Sequence, residues 1–240
     1  MNKETGEPVL YKGKEVAAEK KFKAEMPDGT VTLTFKIDSS LLEGQTVVAF
    51  EDLYHDDILL VSHADITDED QSVHYPKIGT QASVAGSKTV VADTYVTLTD
   101  IVTYENLVPG EKYSLQGILM DQSTGKELVV NGNTVKASAD FTAEGTSGQV
   151  EMTFSFDAEN LGGHSVVVFE KLYHNGKEAA VHEDISDEGQ TVTFTSPPTI
   201  THNPPKTGDP NTTVPFAVAA AVSAAGIAAI AVYRKKRKSM

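Results

Sequence analysis

Four polar residues interrupt rows of apolar side chains in the second half of the chain. Residues two apart in a strand share a face, and by this rule Thr80, Asp100, Glu170 and Gln190 each fall on an apolar, inward face. The apolar neighbours on these faces are Ile78, Ala82, Val96, Leu98, Val102, Val166, Val168, Leu172, Val192 and Phe194. A buried carboxyl group must be paired or protonated, because an isolated buried charge is costly. Four such residues in one domain indicate a chemical site.

Together, these residue types can form a covalent bond. Attack of the Thr80 hydroxyl on the Gln190 side-chain amide would expel ammonia and leave an ester, but both groups need activation. Asp100 and Glu170, kept neutral by burial, can donate protons as charge develops on the amide. His182, eight residues before Gln190, can move protons. Three neighbouring threonines are alternative nucleophiles: Thr89, Thr94 and Thr97.

The elements that must position these side chains are short strands separated by turns. Apolar residues alternate with polar ones at Val31, Leu33, Phe35 and Ile37, and again at Val150, Met152, Phe154 and Phe156. Turn signals occur at Asp28-Gly29, Pro109-Gly110 and Asn131-Gly132. With no convincing helix before residue 215, the pattern predicts an all-β immunoglobulin-like sandwich, and residues 76–195 have the length of one complete domain.

The chain also contains an internal repeat. Residues 5–75 align without a gap on residues 124–194, and 29 of the 71 aligned residues are identical. Such a long period indicates tandem domains rather than a solenoid. Nothing upstream matches residues 76–123, so residues 1–75 are predicted to be the C-terminal part of an incomplete repeat with an open core. Its counterparts of the candidate site residues are Glu51, His63 and Gln71, without an equivalent of Thr80 or Asp100.

Composition excludes several functions. The net charge is −14, and residues 234–238 hold five of the 20 basic residues, so the remainder is strongly acidic and unsuited to binding nucleic acid. There is no cysteine, which excludes disulfides, thiolate metal sites and a cysteine nucleophile. The pairs His63/Asp65 and His182/Asp184 are explained by the repeat as well as by metal binding, and we predict no metal or other cofactor.

The C-terminal region predicts a membrane anchor. Residues 215–233 are uncharged and rich in Ala, Val and Ile, which is the length and character of a transmembrane helix. Residues 234–240 form a basic tail, which favours the cytoplasmic side and places the preceding chain outside the cell. Residues 1–23 are polar and charged and contain no signal peptide. This combination suggests that the sequence is part of a longer exported protein.

A Pro-rich linker, residues 196–214, precedes this span and contains Pro204-Pro205-Lys206-Thr207-Gly208. The motif, span and basic tail together resemble the Leu-Pro-x-Thr-Gly sorting signal of Gram-positive surface proteins, although Pro204 stands where that family has Leu. The resemblance implies that sortase cleaves between Thr207 and Gly208 and joins Thr207 to cell-wall peptidoglycan or to a pilin subunit. The alternative is a Pro-rich linker before an ordinary single-span membrane anchor.

The site residues themselves carry a second resemblance. The run from Val167 to Glu170 and the ending from His182 to Gln190 resemble the Thr–Gln ester-bond domains of Gram-positive adhesins, also called VaFE-repeat surface proteins. This resemblance implies an autocatalytic cross-link between Thr80 and Gln190. Asp100 and Glu170 would be the assisting acids, and His182 the base or proton carrier.

These observations favour a structural role at the cell surface. The expected function is the stalk of a wall-anchored adhesin or pilus, braced by ester bonds in place of disulfides. Its partners would be sortase, the cell wall and, before processing, the membrane. The alternative is that the repeats themselves bind a host protein or glycan. A true enzyme is disfavoured, because the candidate reaction turns over once.

Overall fold

The computed structural model describes residues 1–199. Residues 1–197 form one compact unit. The predicted sorting motif (204–208), transmembrane helix (215–233) and basic tail (234–240), and most of the predicted linker (196–214), lie outside the described residues. Within residues 1–199, no helix has the length and apolar character needed to cross a membrane.

The first repeat, residues 1–75, consists of three strand pairs and one short 3-10 helix, Ser39–Leu41. Its strands are β1 (Leu10–Tyr11), β2 (Lys14–Glu15), β3 (Thr46–Val48), β4 (Glu51–His55), β5 (Ile58–His63) and β6 (Ser72–His74). All three pairs are antiparallel: β1 with β2, β3 with β6, and β4 with β5. The pairs do not join into a larger sheet among the described residues.

The second repeat contains twelve strands and a 3-10 helix at Glu159–Leu161. The strands are β7 (Lys77–Ser83), β8 (Thr89–Val91), β9 (Val96–Glu105), β10 (Lys112–Asp121), β11 (Lys126–Glu127), β12 (Val129–Val130), β13 (Asn133–Thr134), β14 (Lys136–Thr142), β15 (Gly148–Phe156), β16 (Ser165–His174), β17 (Lys177–His182) and β18 (Thr191–Thr195). The all-β class predicted from the sequence is confirmed.

Two sheets enclose the core of the second repeat. The smaller sheet has the order β15-β9-β7, and the larger has the order β11-β10-β16-β18-β8, with β14 beside β10 and β17 beside β16. The apolar row of β9 packs with those of β10, β16 and β18 in one buried cluster. Gly117 on β10 lies directly opposite Glu170 on β16. A Cβ at Gly117 would come within 2.6 Å of Phe154 on the smaller sheet, so the absent side chain lets the sheets approach there.

The first and last strands of the second repeat do not pair with each other. β7 pairs with β9 in the smaller sheet, whereas the parallel partner of β18 is β8. A backbone hydrogen bond of 3.0 Å from Ala82 to the Gly189 carbonyl nevertheless ties β7 to the turn before β18. Thr80 and Gln190 are therefore neighbours across the gap between the two sheets.

The predicted strand at residues 31–37 is wrong, because the backbone there is not paired. Its counterpart in the second repeat is β15, which pairs along its length with β9. Among the described residues, no strand takes the place of β9 in the first repeat. As expected for an open core, apolar side chains of β5 are largely exposed, with Ile58 at 65% and Leu60 at 60%.

Candidate functional site

The structure brings the four inward polar residues together between the sheets. Asp100, Glu170 and Gln190 have no solvent-exposed surface. Thr80 is half-buried, between the buried Ile78 and Ala82 on β7. Strand alternation explains this placement, because the residues two positions before or after each of these polar residues are apolar and face the core.

Glu170 connects the two groups that would react. Its Oε1 accepts a hydrogen bond from the Thr80 hydroxyl at 3.4 Å. The Gln190 Nε2 donates to both oxygens of the same carboxyl group, at 3.0 Å each. One carboxyl group therefore touches the oxygen that would attack and the nitrogen that would leave.

Asp100 and Glu170 form a buried carboxyl pair. Burial, together with the neighbouring Asp100 charge, raises the pKa of Glu170 to about 10. Burial also raises the pKa of Asp100, whereas the nearness of Glu170, the charge of Lys88 and the nearness of the Thr80 hydroxyl act in the opposite direction. Because two adjacent buried carboxylates cannot both be charged cheaply, the pair holds a proton at neutral pH, and Glu170 is its principal holder.

Several polar atoms of the site have no conventional partner. Three buried oxygens accept no standard hydrogen bond from the residues described: the two carboxyl oxygens of Asp100 and the Oε1 of Gln190. A proton shared between Asp100 and Glu170 supplies a donor for the carboxyl pair. The Gln190 oxygen, where negative charge would develop during attack, stays unpaired, and an unsatisfied buried acceptor costs about 1–3 kcal/mol.

His182 lies at the edge of the site. It is directly opposite Glu170 in the β16–β17 pair, so that the two side chains share a face. Its Nε2 is 2.8 Å from the Asp187 Oδ2, while the Asp187 Oδ1 accepts a hydrogen bond from the Gly189 backbone at 2.6 Å. The Asp187 carboxylate thus orients the imidazole and fixes the turn that precedes Gln190.

The alternative threonines lie elsewhere. Thr89 is exposed on β8, opposite Thr193. Thr94 is exposed and its hydroxyl is bonded to Asp93, and the exposed Thr97 hydroxyl contacts Ser155. Of the four candidate nucleophiles, Thr80 is the one whose hydroxyl contacts the buried carboxyl pair.

Comparison with known proteins identifies the family. The sequence model of the T-Q ester bond containing domain matches residues 1–75 and again residues 76–194. The chain belongs to this family. The match confirms the resemblance to Thr–Gln ester-bond domains, and it divides the chain into two copies of the domain.

Solved structures similar to this T-Q ester bond chain include a bacterial adhesin from Mobiluncus mulieris containing intramolecular disulfide, isopeptide and ester bond cross-links. It is 20% identical, with a TM-score of 0.45, over 51% of this chain and 58% of the adhesin chain. A Bacteroides uniformis beta-glucuronidase is 15% identical, with a TM-score of 0.32, over 43% of this chain and 12% of the enzyme. No curated protein matches the chain in sequence.

The first T-Q ester bond copy keeps part of the same arrangement. Glu51 and His63 are opposite each other in the β4–β5 pair, as Glu170 and His182 are in the second copy. His63 Nε2 is 2.9 Å from Asp68 Oδ2, matching the histidine–aspartate contact of the second copy. The Gln71 carbonyl accepts a backbone hydrogen bond from Ala49, the counterpart of the bond between Gln190 and Val168.

Sequence analysis missed two residues of the second T-Q ester bond site. Asp187 recurs as Asp68 in the repeat alignment, so comparing the copies for residues other than the proposed reactants would have found it. Lys88, whose Nζ donates a hydrogen bond to the Gly189 carbonyl, lies in a region that the first copy does not match. Nothing in the sequence pattern distinguishes Lys88 from a surface lysine.

Proposed function

We propose that the second repeat forms an autocatalytic ester bond between the Thr80 Oγ1 and the Gln190 Cδ. The observation that supports it is the double role of Glu170, which contacts both the Thr80 hydroxyl and the Gln190 amide nitrogen in a buried site. A site that excludes water favours the ester, because water would otherwise compete with the hydroxyl and hydrolyse the product.

The reaction needs one proton to move from oxygen to nitrogen. As the Thr80 oxygen bonds to the Gln190 carbon, the carboxyl pair accepts the hydroxyl proton, and Glu170 delivers a proton to the amide nitrogen. The carbon–nitrogen bond then breaks, ammonia leaves, and the ester remains. No net proton is gained or lost by the carboxyl pair. His182, which is partly exposed and held by Asp187, carries protons between this pair and solvent.

Intact-mass measurement of variants tests this mechanism. Glu170→Gln keeps the shape of the side chain but removes its acidity, so the variant should retain the ammonia that the wild type loses. Glu151→Gln, which changes an exposed residue of β15, is the matched control and should lose ammonia as the wild type does. Loss of ammonia from a folded Glu170→Gln protein at the wild-type rate would refute the assigned role of Glu170.

At the level of the whole protein, we infer a structural stalk made of immunoglobulin-like repeats on a Gram-positive cell surface, similar to that of an adhesin or pilus. A covalent bond between two sheets resists extension and proteolysis, which suits a chain that contains no cysteine. The bond forms once per domain, so the repeat is a self-modifying structural module and not a turnover enzyme.

The wall anchor is the second part of this proposal. The order of the Pro-x-Thr-Gly motif, the apolar segment and the basic tail supports cleavage by sortase after Thr207 and attachment to peptidoglycan or a pilin subunit. The test is the C-terminal peptide of protein released from purified cell walls. A peptide ending at Thr207 and carrying a wall fragment is expected. Recovery from membranes alone, with residues 208–240 still joined, would instead indicate a plain membrane anchor.

A further inference from the structure

Lys88 reaches the site from a tight turn between β7 and β8. Ala85 and Gly86 have positive φ angles of 48° and 78°, and backbone hydrogen bonds between Val84 and Ser87 close the turn. The Lys88 carbonyl accepts a hydrogen bond of 2.8 Å from the Thr193 backbone, which anchors this residue to β18. The backbone of Lys88 is therefore fixed on the strand that follows Gln190.

The side chain of Lys88 points to the reacting segment. Its ammonium donates a hydrogen bond to the carbonyl of Gly189, the residue before Gln190. Lys88 is half-buried. The Gly189 carbonyl to which it donates also accepts a hydrogen bond from the backbone of Ala82, which lies directly opposite Asp100 in the β7–β9 pair, so the ammonium lies in the neighbourhood of Asp100. Asp100 and Asp187 are the acidic groups whose charges act on Lys88. Asp187 already contacts His182 through one oxygen and the Gly189 backbone through the other, whereas Asp100 has no conventional donor among residues 1–199.

We propose that Lys88 is a positioning residue for the cross-linking reaction, which holds Asp100 as the anionic member of the carboxyl pair and fixes the Gly189–Gln190 segment. This inference rests on the proposed Thr80–Gln190 reaction. It gives Asp100 and Glu170 different roles in the reaction, which the sequence pattern alone does not distinguish.

The division of tasks follows from charge. The charge of Lys88, in the neighbourhood of Asp100, favours the ionised form of Asp100, so the proton of the pair resides on Glu170. The Thr80 hydroxyl passes its proton to the carboxyl pair through Glu170 Oε1, to which it is hydrogen-bonded. The ionised Asp100 takes up one proton of the pair, and Glu170 gives the other to the departing nitrogen. Transfer of the proton from Asp100 to Glu170 then restores the starting state, and the atoms balance as ester plus ammonia.

A merely structural role for Lys88 makes different predictions. If the ammonium only tethered the Gly189 carbonyl, a neutral donor would replace it and the pH dependence of the reaction would not change. If it sets the charge of Asp100, a neutral side chain raises the pKa of Asp100. The groups that face Asp100 are Thr80, Glu170, Lys88 and the backbone of Gln81, and only Lys88 among them is cationic.

The experiment follows cross-linking in the full chain made by cell-free synthesis. Samples are quenched in acid with denaturant at set times, and the fraction that has lost ammonia is read from the intact mass across a range of pH. The variants are Lys88→Met, Lys88→Gln, which keeps a donor without charge, and Lys88→Arg, which keeps the charge. Lys171→Met is the matched control, because Lys171 is a half-buried cation of β16 that pairs with Glu178 and Glu183.

The wild type, Lys171→Met and Lys88→Arg should react at similar rates. Lys88→Met and Lys88→Gln should be about tenfold slower on the acid side, with the acid limb of the rate profile displaced upward by about one pH unit or more. Circular dichroism identifies folded variants, and Lys88→Gln decides the matter if Lys88→Met does not fold.

Two results would overturn the inference: a neutral variant with wild-type rate and pH profile, or a Lys88→Arg protein as slow as Lys88→Met with its acid limb unmoved. A wild-type chain that folds and never loses ammonia is a separate result, because it refutes the proposed reaction itself.

Discussion

Replacement of Thr80 by valine should remove the ester bond while keeping the shape of the side chain. The hydroxyl makes one hydrogen bond of 3.4 Å, to Glu170, so its direct contribution to stability is small. Any large loss of stability in Thr80→Val therefore reports the covalent bond. Thr97→Val is the matched control, because it removes a hydroxyl from an exposed position that contacts Ser155.

The size of the effect follows from the length of chain that the bond closes. In the chain-entropy treatment of cross-links, a loop of about 100 residues is worth about 4.7 kcal/mol, and the segment from Thr80 to Gln190 has about this length. For a domain of this size, such a loss corresponds to a decrease in Tm of roughly 10–25 °C. The unfolded state of the variant is also less compact, so its denaturant m-value should exceed that of the cross-linked protein.

Calorimetry and circular dichroism on residues 1–197 measure both quantities, and tryptophan fluorescence is not an option because the chain has no tryptophan. Mass spectrometry of the same samples establishes which proteins are cross-linked. If the wild type carries the bond and Thr80→Val melts within two or three degrees of it, the entropic argument fails. A comparable decrease in Thr97→Val would show that the effect belongs to the hydroxyl and not to the bond.

Three further predictions concern protonation, the first repeat and the histidine. In Thr80→Val, the raised pKa of Glu170, about 10 against an ordinary 4.5, means that the folded state holds an extra proton. Unfolding free energy should thus be highest at low pH and fall as pH rises between these values, by up to about 1.4 kcal/mol per unit. Urea titrations at several pH values test this, and an equally steep profile after adding Glu170→Gln would contradict it. A purified fragment of residues 1–75 should unfold without a cooperative transition by calorimetry, since its apolar side chains are exposed; a sharp heat-absorption peak would disprove this. Asp187→Asn should slow cross-linking by loosening His182, as followed by mass against time, whereas unchanged kinetics would remove the His182–Asp187 pair from the mechanism.

The inward positions of the site were accessible from sequence because strand alternation has a period of two. Asp100 shares a face with Leu98 and Val102, and Glu170 with Val168 and Leu172, so burial of both carboxyl groups follows from the pattern alone. The structure buries Asp100, Glu170 and Gln190 fully and Thr80 in part, in the direction that the pattern predicts. Their convergence on a single point could not be derived from alternation, which gives the face of each strand but not its neighbours.

Pairing between strands explains what sequence analysis did not find. The alternation at residues 31–37 is as regular as that of β15, yet those residues are unpaired, because a strand also needs a partner. The parallel pairing of β8 with β18 depends on the turn at Ala85 and Gly86, and this turn is also what carries Lys88 to the Gly189 carbonyl. Such long-range contacts cannot be predicted from the local alternation of apolar and polar residues.

A tryptic map of the full chain tests the central claim most directly. Cleavage gives a peptide of residues 78–88, in which Thr80 is the only threonine, and a peptide of residues 178–206, in which Gln190 is the only glutamine. The alternative nucleophiles Thr89, Thr94 and Thr97 fall in a different peptide, residues 89–112. We predict one joined species of 78–88 and 178–206, lighter by one ammonia than the sum of its parts and separable by mild base. Recovery of both peptides free and unmodified from folded protein would contradict the account, and attachment of 178–206 to 89–112 would show that another threonine is the nucleophile.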